Sequence, residues 1–155
     1  MRALAALAKE PNMSLIATAA KPADRPVLIT LCGDSGMGKT SLAASFPKPI
    51  FIRAEDGMQA IPANNRPDAF PLLSNAKDLW AQLGAVIHEP HDYQTLVIDS
   101  VTALERLFVA EVLEQDPKAK SINQALGGYG AGVAAVAAMH ARVRKGAGLA
   151  NEKRG

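Results

Sequence analysis

The chain has a single cysteine, Cys32, so it can form neither an intrachain disulfide nor a cysteine-based zinc site. Cys32 sits in the apolar run 27–32 and is expected to be a buried structural thiol. Aromatic residues make up only 5% of the sequence, so a core must rest on Ala, Leu, Val and Ile. No apolar run approaches the roughly 20 residues that span a bilayer. Residues 3–8, Ala-Leu-Ala-Ala-Leu-Ala, are too short for a signal-peptide core. The expectation is a cytoplasmic protein with no membrane partner. Charge of one sign is lacking as well: the net charge of +2 is too small to argue for nucleic acid. Arg142, Arg144, Lys145, Lys153 and Arg154 do gather near the end, and they read first as a solvated helix face.

The 155 residues suffice for one domain. Residues 1–26, Ala-rich and broken by Pro11, Pro22 and Pro26, read as a flexible leader with a helical turn or two at 3–9. From residue 27 onward, apolar β-branched runs alternate with segments of helical period. Residues 27–32, 49–53 and 95–99 are expected to be buried strands, with a weaker strand at 69–73. Helices are expected at 40–46, stopped by Pro47, and at 77–88, capped by Ser74 or Asn75. Another begins near Val101 and ends at Asp116-Pro117, and an Ala/Val-rich one covers 131–150, weakened by Gly146 and Gly148. The glycine-rich residues 127–130 break the chain between them. Strand–helix alternation of this kind predicts a three-layer α/β domain with a mainly parallel sheet.

Between the first strand and the first helix lies Gly33-Asp34-Ser35-Gly36-Met37-Gly38-Lys39-Thr40. This is a Walker A P-loop in the strand–loop–helix context that gives the pattern meaning. Gly33, Gly36 and Gly38 free the backbone to turn its N–H groups inward as an anion-binding nest. Lys39 brings a full positive charge to the β- and γ-phosphates, and the Thr40 hydroxyl is placed to ligate Mg²⁺. The candidate nucleotide-binding residues are Gly33, Asp34, Ser35, Gly36, Met37, Gly38, Lys39, Thr40 and Ser41, and the expected ligands are ATP and Mg²⁺.

Asp99 ends the run Leu96-Val97-Ile98. At the C-terminal tip of a parallel strand it lies on the ligand-binding edge and can hold Mg²⁺ as a Walker B aspartate. It, or Ser100, can also cap the helix that follows. Glu55 and Asp56 come just after the second strand on the same edge. Either carboxylate can orient and deprotonate an attacking water, or both can be solvated loop acids.

The stretches Pro49-Ile50-Phe51-Ile52-Arg53-Ala54-Glu55-Asp56-Gly57 and Leu96-Val97-Ile98-Asp99-Ser100 resemble those of RecA-type recombinases. Residues 27–155 as a whole resemble more closely the AAA-type nucleotide-binding proteins of bacteriophages and prophages, the Sak-type single-strand annealing ATPases among them. The runs GKTSLAASFPKPIFI and DYQTLVIDSVTALE, the Glu-Asp-Gly turn and the GGYG turn carry this likeness. The resemblance implies a RecA-like Mg²⁺-dependent ATPase of DNA recombination or replication. It makes Lys39 and Glu55 catalytic residues, with Asp56 as the substitute base, and Thr40 and Asp99 metal ligands.

The resemblance further implies a buried strand after the Asn-Glu-Lys-Arg-Gly ending, carrying a polar sensor and lying between the P-loop strand and the Walker B strand. On that reading the chain is a C-terminally truncated, N-terminal part of the domain. Strands 27–32 and 95–99 must then pair directly, receive a strand from another chain or homo-oligomer partner, or leave backbone groups unpaired. The likeness leaves two alternatives beside the ATPase: a protein that binds ATP without turning it over, and a regulatory module that binds single-stranded DNA. Tyr129, within the glycine turn, can stack on a nucleobase or pack on the protein. The scattered His88, His91 and His140 read as surface residues.

Overall fold

The computed structural model describes residue 16, residues 19–21 and residues 27–152. The expected turn at 3–9 and most of the expected leader lie outside the described residues. The architecture is mixed α/β. The P-loop leads into α1 (Lys39–Ala44), followed by β1 (Pro49–Arg53), β2 (Asp68–Ala69), α2 (Ala76–His88), β3 (Thr95–Asp99), α3 (Val101–Gln115) and α4 (Ala131–Glu152). The sheet is parallel throughout, in the order β2-β1-β3, and its register sets Arg53 beside Asp99.

Alternation along the strands divides the core in two. Ile52, Leu96 and Ile98 face α2, α3 and α4, where Leu79, Leu83, Leu104, Phe108, Val112, Val136 and Val143 close over them. Phe51 and Val97 point to the opposite face and meet Ala43 of α1, Met58 and Leu31. Three layers result, with the sheet in the middle. β1 is central, and Phe51 and Ile52 are fully buried. Burial of such side chains contributes about 1.5–3 kcal/mol each.

The expected first strand does not form. Residues 27–32 join no sheet, and Val27, Leu28 and Ile29 are 80%, 69% and 52% exposed. Cys32, expected to be buried, is exposed with them. Apolar composition favours a strand but does not by itself secure a partner. A strand is stable only where its N–H and C=O groups meet a ladder, and among the described residues β3 has no partner on the side away from β1. All five β3 residues are only half-buried, the apolar Leu96, Val97 and Ile98 included. Direct pairing of residues 27–32 with β3, one of the expected options, does not occur.

The expected strand at 69–73 shrinks to β2, because Pro71 has no N–H to donate. Its flanks still follow β1: Phe70 donates to the Phe51 carbonyl and Leu73 to that of Arg53, both at 2.9 Å. α4 runs unbroken through Gly146. A Cβ there would come 2.7 Å from Leu83 Cδ2, so the glycine lets α4 lie close on α2. That packing offsets the roughly 1 kcal/mol propensity cost of a helical glycine.

α2 starts where Asn75 accepts a hydrogen bond from the Asp78 N–H at 3.1 Å, while Asp78 accepts one back from the Ser74 N–H at 2.9 Å. Asn75→Ala removes the first of these and is expected to lower stability by about 1 kcal/mol in urea unfolding. Away from the strands' C-terminal ends, the exposed Lys48 donates to Asp92 at 2.6 Å and holds that carboxyl below the usual aspartate range. This pair contributes above the ordinary aspartate pKa and is lost as the pH falls through the depressed value. Exposure keeps it weak.

Candidate functional site

The loop 33–40 carries the conformations its glycines were expected to supply. Gly33, Gly36 and Gly38 have φ of 155°, 81° and 80°. Among the described residues, the N–H groups of Ser35, Gly36 and Gly38 make no hydrogen bond within the protein, and the loop faces solvent. Asp34 accepts through its carbonyl from Met37 N–H at 3.4 Å, which closes the turn. Met37 is 73% exposed, and Ser41 is exposed on α1. Lys39 reaches back across the loop and donates to the carbonyls of Gly33 and Asp34, each at 2.7 Å. The loop thus brings a lysine ammonium group and exposed backbone amides without protein partners together in one short segment, a combination suited to a polyanion.

Thr40 and Asp99 are 59 residues apart, yet the Thr40 hydroxyl donates to Asp99 Oδ2 at 2.8 Å. This settles what caps α3: Ser100 accepts from Ala103 N–H at 3.3 Å, and Asp99 turns toward the P-loop instead. Both residues are half-buried, Thr40 in the first turn of α1 and Asp99 at the end of β3 beside Arg53 of β1. A hydroxyl and a carboxylate side by side are hard oxygen donors that fit Mg²⁺. Gly57 lies directly against the pair: a Cβ there would meet Asp99 Oδ2 and Thr40 Oγ1 at 3.1 Å each. Sequence reasoning treated Gly57 only as part of a turn. The signal for its place was its position directly after the two acids.

Glu55 joins the same edge through its backbone. The Asp99 carbonyl accepts from Ala54 N–H at 2.7 Å and from Glu55 N–H at 3.3 Å. The two candidate bases differ in what holds them. Asp56 accepts from Arg53 Nη1 and from Gln59 Nε2, both at 3.3 Å. The exposed Glu55 carboxylate has no hydrogen bond or ion pair among the described residues.

Other residues singled out in the sequence lie elsewhere. Tyr129 is fully exposed with φ 51°, so it does not pack on the protein; it stands among five consecutive residues, 126–130, with positive φ. Arg142 lies over the Trp80 ring, with its Cζ 4.4 Å from the centroid, while Arg144 and Lys145 are exposed. Lys153 and Arg154 lie outside the described residues. His140, expected at the surface, is half-buried and packs edge-on against Phe108. No helix among the described residues is long and apolar enough to cross a membrane.

A family model described as an AAA domain matches residues 25–145, which is most of the chain. No curated protein and no solved structure matches it.

Proposed function

Because the chain belongs to the AAA domain family, we propose that it is a Mg²⁺-dependent ATPase whose phosphate site is the loop 33–40. The observation that carries this reading is the 2.8 Å bond between Thr40 and Asp99. It joins the P-loop to the end of β3, as a Mg²⁺–nucleotide site requires. Lys39 and the free amides of the loop bind the β- and γ-phosphates. Thr40 and Asp99 hold the metal, which when bound neutralises charge on the phosphate oxygens. Glu55 takes the proton of the attacking water, since its carboxylate is free while Asp56 is engaged. Proximity supports this role: the Glu55 backbone is anchored to the same strand end as Asp99.

The setting in phage DNA recombination or replication rests on the resemblance of the Glu-Asp-Gly turn and the β3 segment to RecA-type and Sak-type proteins. The exposed ring of Tyr129 offers a stacking surface for single-stranded DNA. A salt-sensitive gel shift with single-stranded DNA checks that part, and its absence at low salt removes it.

The central test is phosphate release from ATP by the purified chain, with and without Mg²⁺. Lys39→Ala is expected to weaken ATP binding by about 1.5–3 kcal/mol, roughly 10- to 150-fold in Kd. Titration calorimetry reads that loss directly, and an unchanged affinity removes the loop from the reading.

A second reading, ATP binding without turnover, is favoured by one observation: β3 has no strand partner on its outer side among the described residues. Among the described residues no strand residue reaches the site from that side of β3. Thermal stabilisation by ATP with no phosphate release supports that reading, and steady hydrolysis excludes it.

A further inference from the structure

Gly57 opens the 3-10 turn Gly57–Ala60, directly after the two acids that follow β1. Its φ does not lie in the left-handed region, so the backbone does not demand glycine here. What demands it is space. An added Cβ would stand 3.1 Å from Asp99 Oδ2, 3.1 Å from Thr40 Oγ1 and 3.8 Å from Thr40 Cγ2. Two of these contacts are with the oxygens assigned to the metal, and both are tighter than side-chain carbons ordinarily tolerate.

Neither neighbour can yield freely. Asp99 is held at a strand end whose carbonyl accepts from the N–H groups of Ala54 and Glu55. Thr40 lies in the first turn of α1, where a β-branched side chain has few rotamers. A methyl group at position 57 therefore either separates the two oxygens or fills the volume in front of them.

Resting on the Mg²⁺–ATP reading above, we infer that Gly57 is a positioning residue for the metal site: its missing side chain keeps Thr40 Oγ1 and Asp99 Oδ2 together and leaves room for the hydrated ion. Gly57 touches no nucleotide in this role. It acts through the two ligands, and so affects the metal-dependent part of binding and not the grip of the loop on phosphate. The same turn faces α1 across the site, so the position couples the segment after β1 to the metal without contributing a ligand.

The experiment is a calorimetric titration of Gly57→Ala and wild type with ATP, once in Mg²⁺ and once in EDTA, alongside thermal unfolding of both proteins. Wild type is expected to bind ATP more tightly in Mg²⁺. Gly57→Ala is expected to stay folded, with a modestly lowered unfolding temperature, to keep the EDTA affinity, and to lose at least about tenfold of the Mg²⁺-dependent gain. An equal Mg²⁺ gain in the two proteins overturns the assignment. A Gly57→Ala chain that does not fold, or that loses EDTA affinity equally, places the glycine in the fold and overturns it as well. Wild type that binds ATP equally with and without Mg²⁺ refutes the Mg²⁺ reading itself, and that failure is visible before the variant is compared. Adding Thr40→Ser to Gly57→Ala frees the hydroxyl to rotate and is expected to recover part of the Mg²⁺ gain, which a merely structural glycine would not allow.

Discussion

Glu55→Gln is expected to bind ATP as wild type does and to hydrolyse it about 10²–10⁴-fold more slowly, the usual contribution of a positioned general base. The substitution keeps size and hydrogen-bonding reach and removes only the proton-accepting charge. Binding survives because the Glu55 side chain makes no hydrogen bond or ion pair with the loop 33–40, and its N–H still donates to the Asp99 carbonyl. Asp56→Asn is the informative companion. Its carboxylate is shared between Arg53 and Gln59, so its loss should loosen the turn without removing the chemistry. Single-turnover phosphate release, measured beside a binding isotherm, separates the two effects. Wild-type rates in Glu55→Gln would remove Glu55 from the mechanism. Loss confined to Asp56→Asn would move the role by one residue.

Phe108→Ala is expected to destabilise the protein by about 3–5 kcal/mol, the range for truncating a buried aromatic residue. Phe108 is fully buried at the meeting point of three helices. Trp80 of α2 stacks parallel to it at 5.9 Å, and His140 of α4 meets it edge-on at 4.9 Å. Removing the ring leaves a cavity that neither neighbour fills without abandoning another contact, since Trp80 is also held beneath Arg142. Against a typical total stability of about 5–15 kcal/mol, such a loss is about a fifth or more. Urea unfolding followed by circular dichroism reads it. Phe108→Leu, which retains most of the volume, should cost much less. Equal losses in the two variants would mean that ring packing is not the cause.

The contrast between these two residues shows where sequence reasoning succeeds. Phe108 was legible by period alone, because Leu104, Phe108 and Val112 recur every four residues and land on one helix face. β1, β3 and α2 were legible for the same kind of reason, and Asn75 was among the expected caps. Glu55 was legible only as one of two acids. Their different hydrogen-bond partners, which separate them, depend on where Arg53 and Gln59 fall in space. The misreadings have a common source. Residues 27–32 have the composition of a buried strand, and Cys32 was read as buried with them. Composition does not fix pairing: residues 27–32 stay exposed although the outer edge of β3 is unpaired among the described residues.

By itself the sequence determined the glycine loop 33–40 and its proposed role, because glycine spacing, Lys39 and Thr40 act within eight contiguous residues whose chemistry is local. It also determined the layered α/β plan, since periods of two and 3.6 residues are properties of the chain. Only the tertiary structure decided that Asp99 turns to Thr40 while Ser100 caps α3, that Glu55 is anchored at the same strand end, and that Gly57 lies against both Thr40 and Asp99. Those relations join residues far apart in the chain. They are set by the parallel register of β1 and β3 and by the packing of α1 over the sheet, and no local pattern of residues encodes such distances.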